Sequence, residues 1–196
     1  MPRKKSAARA AKQFVGRVTD TLNFVSAVEV DQSQGHVSRI YDSAVIALYR
    51  DFEDLVLDVL VAAINNDTTT ISTTLGVKFP RHMTDEVCYY LVTGPSYFDF
   101  KGRSGLIRRV KQYVPENHYL VDVLKDQKYR QAIDRLCALR NYAAHDSPQS
   151  KKAALEVTGQ ARMRSAGAWL KVGSRLSDIA IKLQGLAKSL EDRAPY

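Results

Sequence analysis

HVSRIYDSAVIALYRDFEDLVLDVLVAAINN, residues 36–66, is the stretch on which the fold turns. Ile40, Ala44, Leu48, Phe52, Leu55, Val59 and Ala62 recur three and four residues apart, which places them on one stripe of a helix. In the second half Val56, Leu57, Leu60, Val61 and Ile64 spread apolar surface over the remaining faces. A helix apolar on most sides can only be satisfied at the centre of a bundle. The expectation is an all-α protein built around this helix.

Working outward, residues 1–8 read as a basic flexible arm, and a single helical domain is expected over 9–196. Val15, Val18, Leu22, Val25 and Val28 predict a helix over 9–30, and Gln34-Gly35 marks a break. After the central helix, Asp67 to Pro80 is polar and threonine-rich. It is expected to be mainly connection, with Thr68–Thr74 also suited to a short strand or hairpin. Helices follow at Asp85–Val92 and Leu106–Val114, separated by an aromatic loop from Ser96 to Gly105; Asn117–Lys125 is a short segment. Lys128–His145 is the next long helix. Ser147-Pro148 then starts another, serine serving as N-cap and proline as first helical residue. In the last helix, Ala166–Leu190, the seam Trp169, Val172, Leu176, Ile179, Leu183, Leu186 and Leu190 needs a partner, inside the chain or on a second copy.

With 196 residues, 45% of them hydrophobic, the chain can bury one core. A net charge of +8 suits a polyanionic partner, nucleic acid first, or simply a solvated lysine-rich surface. Cys88 and Cys137 sit among apolar neighbours, as expected of buried thiols in a reducing compartment. The longest apolar run, Leu55–Ile64, is interrupted by Asp58 and too short to span a bilayer, so a cytoplasmic protein without a membrane association is expected. His36, His82 and His118 lack metal-ligand spacing, and neither a metal nor a cofactor is expected.

One residue breaks the pattern. On the helix Lys128–His145, Tyr129, Ile133, Leu136, Cys137, Ala143 and Ala144 make the apolar face, and Arg140 falls within roughly 20° of Ile133 on the same face. A guanidinium there needs a carboxylate, backbone carbonyls or an anion in a cleft. His145 follows five residues later, about 140° around an ideal helix, at an end where the helix dipole favours a cation. Asn141 adds an amide beside the arginine. The residues alone leave two readings: an acid–base site, or a structural ion pair of Arg140 with Glu53 or Asp54 beside a solvent-exposed capping histidine.

Arg140-Asn141-Tyr142-Ala143-Ala144-His145 resembles the Arg-Asn-x-x-x-His motif of the HEPN superfamily, and the chain looks most like the HEPN proteins of bacterial defence and toxin loci, the RiboL-PSP and MAE_28990 types among them. The stretch from Tyr41 to Val56 resembles that family's early helix, Phe52-Glu53 matching its aromatic–acid pair. The resemblance, over roughly residues 36–190, implies an up-and-down helical bundle that forms a homodimer. Asp67–Pro80 and Tyr97–Phe100 form a polar and aromatic insertion between the central and motif helices. It also implies a metal-independent endoribonuclease, a toxin or phage-defence effector that leaves a 2′,3′-cyclic phosphate and a 5′-hydroxyl. His145 would then act as general acid/base, Arg140 would neutralise phosphate charge, Asn141 would position the phosphate and Glu53 would orient Arg140. An antitoxin or neighbouring defence protein is a further expected partner. The alternatives are a non-catalytic HEPN module binding RNA, a nucleotide or a partner protein, and a helical scaffold. His145 is followed by Asp146-Ser147 rather than the His-x-Tyr of some members, so tyrosine modification is not implied.

Arg103, Arg108, Arg109 and Lys111 cluster near Tyr97, Phe98, Phe100 and Tyr113, a composition suited to single-stranded RNA, or to a solvated helix beside a packed aromatic loop. Lys151 and Lys152 would extend a basic rim past the motif. Arg162, Arg164 and the Arg3-Lys4-Lys5 arm are weaker candidates.

Overall fold

Four long helices close into a ring. In a computed structural model, which describes residues 5–95, 98 and 100–195, these are α1 (Ala7–Val28), α2 (Gln34–Asn66), α7 (Gln127–His145) and α10 (Arg175–Arg193). α1 packs on α2, α2 on α7, α7 on α10, and α10 returns to α1. Shorter helices fill the connections: α3 (Thr69–Leu75), α4 (Asp85–Thr93), α5 (Gly102–Val110) and α6 (Tyr119–Lys125) before α7, then α8 (Pro148–Thr158) and α9 (Ala166–Leu170) after it. No strand occurs among the described residues. None of their helices is long and apolar enough to cross a membrane.

The central position read from residues 36–66 is the one found. α2 touches α1, α4, α7, α9 and α10, and Val56, Val59, Leu60, Val61, Ala62 and Ile64 are fully buried on its several faces. Phe52 is buried at the middle of an aromatic cluster, edge-on to Phe14 at 6.3 Å and to Phe100 at 6.4 Å between ring centroids. One continuous core runs from Ala7 to Leu190.

Several boundaries differ from expectation, each for a visible reason. The body begins at Ala7, which is fully buried, and Lys5 is tied down by Asp58 and Asp85, so residues 5–8 are not an arm; Arg3 and Lys4 lie outside the described residues. Gln34-Gly35 opens α2 rather than breaking the chain, because Ser33 caps it by accepting the His36 N–H; the turn lies before it, at Asp31 (φ 61°). Thr69–Leu75 is a helix despite its β-branched residues. Buried Ile71 anchors it and Gly76, in the left-handed region, ends it. The expected final helix is two, parted at 171–174 around Gly173 (φ 61°), which leaves Val172 exposed. The rest of its seam is buried within the chain: Trp169 on α9, and Leu176, Ile179, Leu183, Leu186 and Leu190 where α10 meets α1 and α7.

Packing also fixes the response to alkali. Burial pushes the Cys137 thiol from 9.0 up to about 12. Burial and a hydrogen bond to Glu29 push the Tyr41 phenol from 10.0 up to about 12. Tyr49 and Tyr113 are raised as well, burial again being the main cause. The unfolded chain releases these protons at lower pH than the folded one, so it binds fewer protons through this window and stability falls as pH rises. The expected result is a urea midpoint that is level around neutral pH and drops progressively between about pH 9 and 11. A flat midpoint to pH 11 would contradict the burial of these groups.

Candidate functional site

α7 ends at His145 because Asp146 takes the left-handed conformation (φ 41°), which aspartate tolerates better than most side chains. Ser147 and Ser150 then form a capping box, each side chain accepting the other's backbone N–H at 3.1 Å, with Pro148 at the first helical position. The chain reverses and α8 packs along α7. Tyr142 fastens the hairpin from below, its hydroxyl donating to the Arg164 carbonyl at 3.0 Å.

Between α7, α8 and the start of α5 lies a cleft of about 560 Å³, within the range of small-molecule sites. Arg140, Asn141 and His145 all line it. Asp134, Ala138, Asn141 and His145, also lining it, are spaced four, three and four residues apart and so form one stripe of α7. Arg140 is not on that stripe. Its guanidinium lies over the Tyr49 ring on α2, 4.4 Å from the centroid, and its Nη1 donates to Asn141 Oδ1 at 2.9 Å. Asn141 therefore joins the two faces, since it sits only about 40° around the helix from His145. The divergence of Arg140 and His145 on an ideal helix is bridged by the intervening amide and a long side chain, with α7 regular to its end.

Compared with known proteins, the chain finds no match: no family model, no curated protein and no solved structure. The cleft is therefore interpreted from its own geometry.

Glu53, one turn along α2 from Tyr49, is hydrogen-bonded to it, and its charge opposes that of Arg140 in its effect on the phenol. It does not line the cleft. Asp54, the other carboxylate considered for Arg140, pairs with Arg17 of α1 at 3.1 Å, and Asp51 joins the same guanidinium at 3.3 Å. Among the described residues no group of three or more His, Cys, Asp or Glu side chains is arranged to hold a metal ion. Cys137 lines the cleft, but burial first, then the charges of Asp134 and Glu53, keep its thiol protonated at neutral pH.

The cation cluster expected at an RNA surface is largely consumed by the fold. Arg103 is buried and its Nε donates to the Leu124 carbonyl at 2.8 Å, closing the end of α6. Arg109 donates to the Val92 carbonyl at 2.7 Å and lies over the Tyr113 ring, and Lys111 is paired with Glu116. Arg108 remains exposed, as does Lys152, while Lys151 is half-buried; none of the three lines the cleft. Phe98 and Tyr113 are buried in the core rather than offered to bases, Phe100 is buried with one side on the cleft, and Tyr97 lies outside the described residues. Sequence reading missed Lys101, at the N-cap of α5, and Asp134, Ser147, Gln149 and Ser150, all lining the cleft. For Asp134 the signal was available: it is seven residues before Asn141 and eleven before His145, on their stripe.

Proposed function

We propose that the chain is an endoribonuclease that cuts RNA without a metal, using the cleft between α7 and α8. The observation that carries this reading is the convergence of Arg140, Asn141 and His145 on one cleft, with Arg140 stacked on Tyr49 and bonded to Asn141. A stacked, half-buried guanidinium is preorganised to meet a phosphate. Asn141 has its carbonyl oxygen on Arg140, which leaves its amide N–H free to donate to a non-bridging phosphate oxygen. His145 is exposed at the helix end, where an imidazole can exchange protons with solvent and substrate.

In the reaction the ribose 2′-oxygen bonds to the adjacent phosphorus and the bond to the 5′-oxygen breaks. His145 takes the 2′-hydroxyl proton, and the departing 5′-oxygen receives one from water or from His145 of a second copy. The products are a 2′,3′-cyclic phosphate and a 5′-hydroxyl. Lys101, exposed in the cleft lining, supplies a cation for a flanking phosphate, and exposed Arg108 on α5 and Lys152 on α8 add positive charge to the two helices beside it. A homodimer, and a role as toxin or defence effector held in check by an antitoxin or neighbouring protein, belong to the same reading.

The test is cleavage of mixed cellular RNA in EDTA, with the ends of the products mapped. Wild type is expected to leave cyclic phosphates and 5′-hydroxyls, and the His145→Ala protein to leave the RNA intact. Equal cutting by both would reject His145. RNA bound with micromolar affinity but never cut would favour a non-catalytic binding module.

A further inference from the structure

The cleft is not uniform along its length. One end holds Arg140, Asn141, His145 and the polar start of α8. Toward the other, α7 and α8 present Cys137, Ala138, Ala153 and Val157 with one carboxylate, Asp134, while Phe100 and Lys101 line the cleft from the segment that leads into α5. An acid in a phosphate-binding cleft repels the polyanion it serves, so its place there calls for a ligand group rich in N–H donors. Its only ion-pair partner among the described residues is Arg130, at 3.7 Å, with 64% of the arginine side chain exposed; a pair so long and open holds the carboxylate weakly. Asn141, which Arg140 holds, follows Asp134 by seven residues on the same stripe, about 10 Å along the helix. A nucleotide can reach across that separation with its phosphate at one end and its base edge at the other.

We infer that the apolar end of the cleft is a base pocket and that Asp134 makes it selective for guanine. The inference rests on the ribonuclease reading of the same cleft, since it takes Arg140 as the phosphate end. Single-stranded RNA is read through the Watson–Crick edges of splayed bases against apolar walls. Guanine alone presents two adjacent donors, N1–H and the N2 amine, to the two oxygens of one carboxylate. Adenine and cytosine set a ring nitrogen acceptor beside their amine, and uracil flanks one N–H with two carbonyls, so each brings a lone pair against Asp134. Discrimination of this kind is strong because the wrong base leaves a charged acceptor facing an acceptor.

The experiment is calorimetric binding of guanosine, inosine and adenosine 3′-monophosphates to wild type and Asp134→Asn. Asp134 is partly exposed on a helix surface, and thermal melts check that the variant keeps the fold. Wild type is expected to bind the guanosine nucleotide about tenfold or more tightly than inosine, which lacks the N2 amine, and than adenosine. Asp134→Asn should lose that margin and bind adenosine more tightly than wild type does, since an amide offers a donor to adenine N1 and an acceptor to its amine. Equal affinities in wild type, binding of none of the three, or a guanosine margin that survives Asp134→Asn overturns the inference. Cleavage run alongside separates the two ideas. A margin without cleavage rejects the ribonuclease and keeps the base pocket; cleavage without a margin rejects the pocket and keeps the ribonuclease.

Discussion

Gly167→Ala is expected to cost about 3–5 kcal/mol of stability and to lower the melting temperature by roughly 6–20 °C. A Cβ at this position would stand 1.9 Å from the Ser38 carbonyl oxygen, 2.8 Å from the Asp42 amide nitrogen and 2.9 Å from the Ser38 carbonyl carbon. All three are backbone atoms of α2, the central helix, so no rotamer change relieves the clash; α9 must lift off. Lifting it also breaks the bond from the Gly167 N–H to Asp42 Oδ1, at 2.5 Å. Asp42 bonds Ser165 too, and burial raises its pKa despite these bonds, so losing them strands a half-buried carboxylate. Gly16 is the matched control. It lies exposed within α1, where an added Cβ would meet nothing within 4 Å, and Gly16→Ala should stabilise by about 0.5–1 kcal/mol through helix propensity. Urea melts of both variants decide the matter. A Gly167→Ala protein within about 1 kcal/mol of wild type would mean that α9 does not sit this close to α2.

The same contact shows why the end of the chain was only partly legible. Trp169 and Leu176 are seven residues apart, and periodicity alone joins them in one helix. What divides them is the seating of α9 against α2, a contact 125 residues away in sequence, and the left-handed Gly173 that follows. Local signals with a mechanism were read correctly: Ser147-Pro148 is a capped helix start, and α7 ends at His145. Charge was read less well, because a cation in sequence carries no sign of its burial. Arg103 and Arg109 are basic residues whose guanidinium groups close the ends of α6 and α4 by hydrogen-bonding Leu124 and Val92 carbonyls. Arg140 was visible because it interrupts an apolar stripe. Its support was not: Tyr49 is simply one more buried residue of α2 until the packing of α2 on α7 brings its ring under the guanidinium.

That support bears on the second large effect. Arg140→Ala is expected to slow RNA cleavage by about 10²–10³, the usual loss for a preorganised group that stabilises developing charge. His145→Ala should slow it by about 10²–10⁴, the range for a proton-transfer group. If the two act on one phosphate, the double variant falls little further than the worse single one, because each is useless without the other. Arg140→Lys should recover little of the loss. An ammonium keeps the charge, but it cannot lie flat on Tyr49 while offering parallel N–H groups to Asn141 and a phosphate. The stacked cation contributes about 0.5–2 kcal/mol, so Arg140→Ala should lower the melting temperature by only about 1–8 °C, too little to account for the loss of rate. Single-turnover cleavage measured beside thermal melts therefore separates catalysis from folding. Arg140→Ala cutting at the wild-type rate per folded molecule, with a large drop in melting temperature, would make Arg140 a strut between α2 and α7. Losses that multiply in the double variant would place Arg140 and His145 at separate tasks rather than around one phosphate.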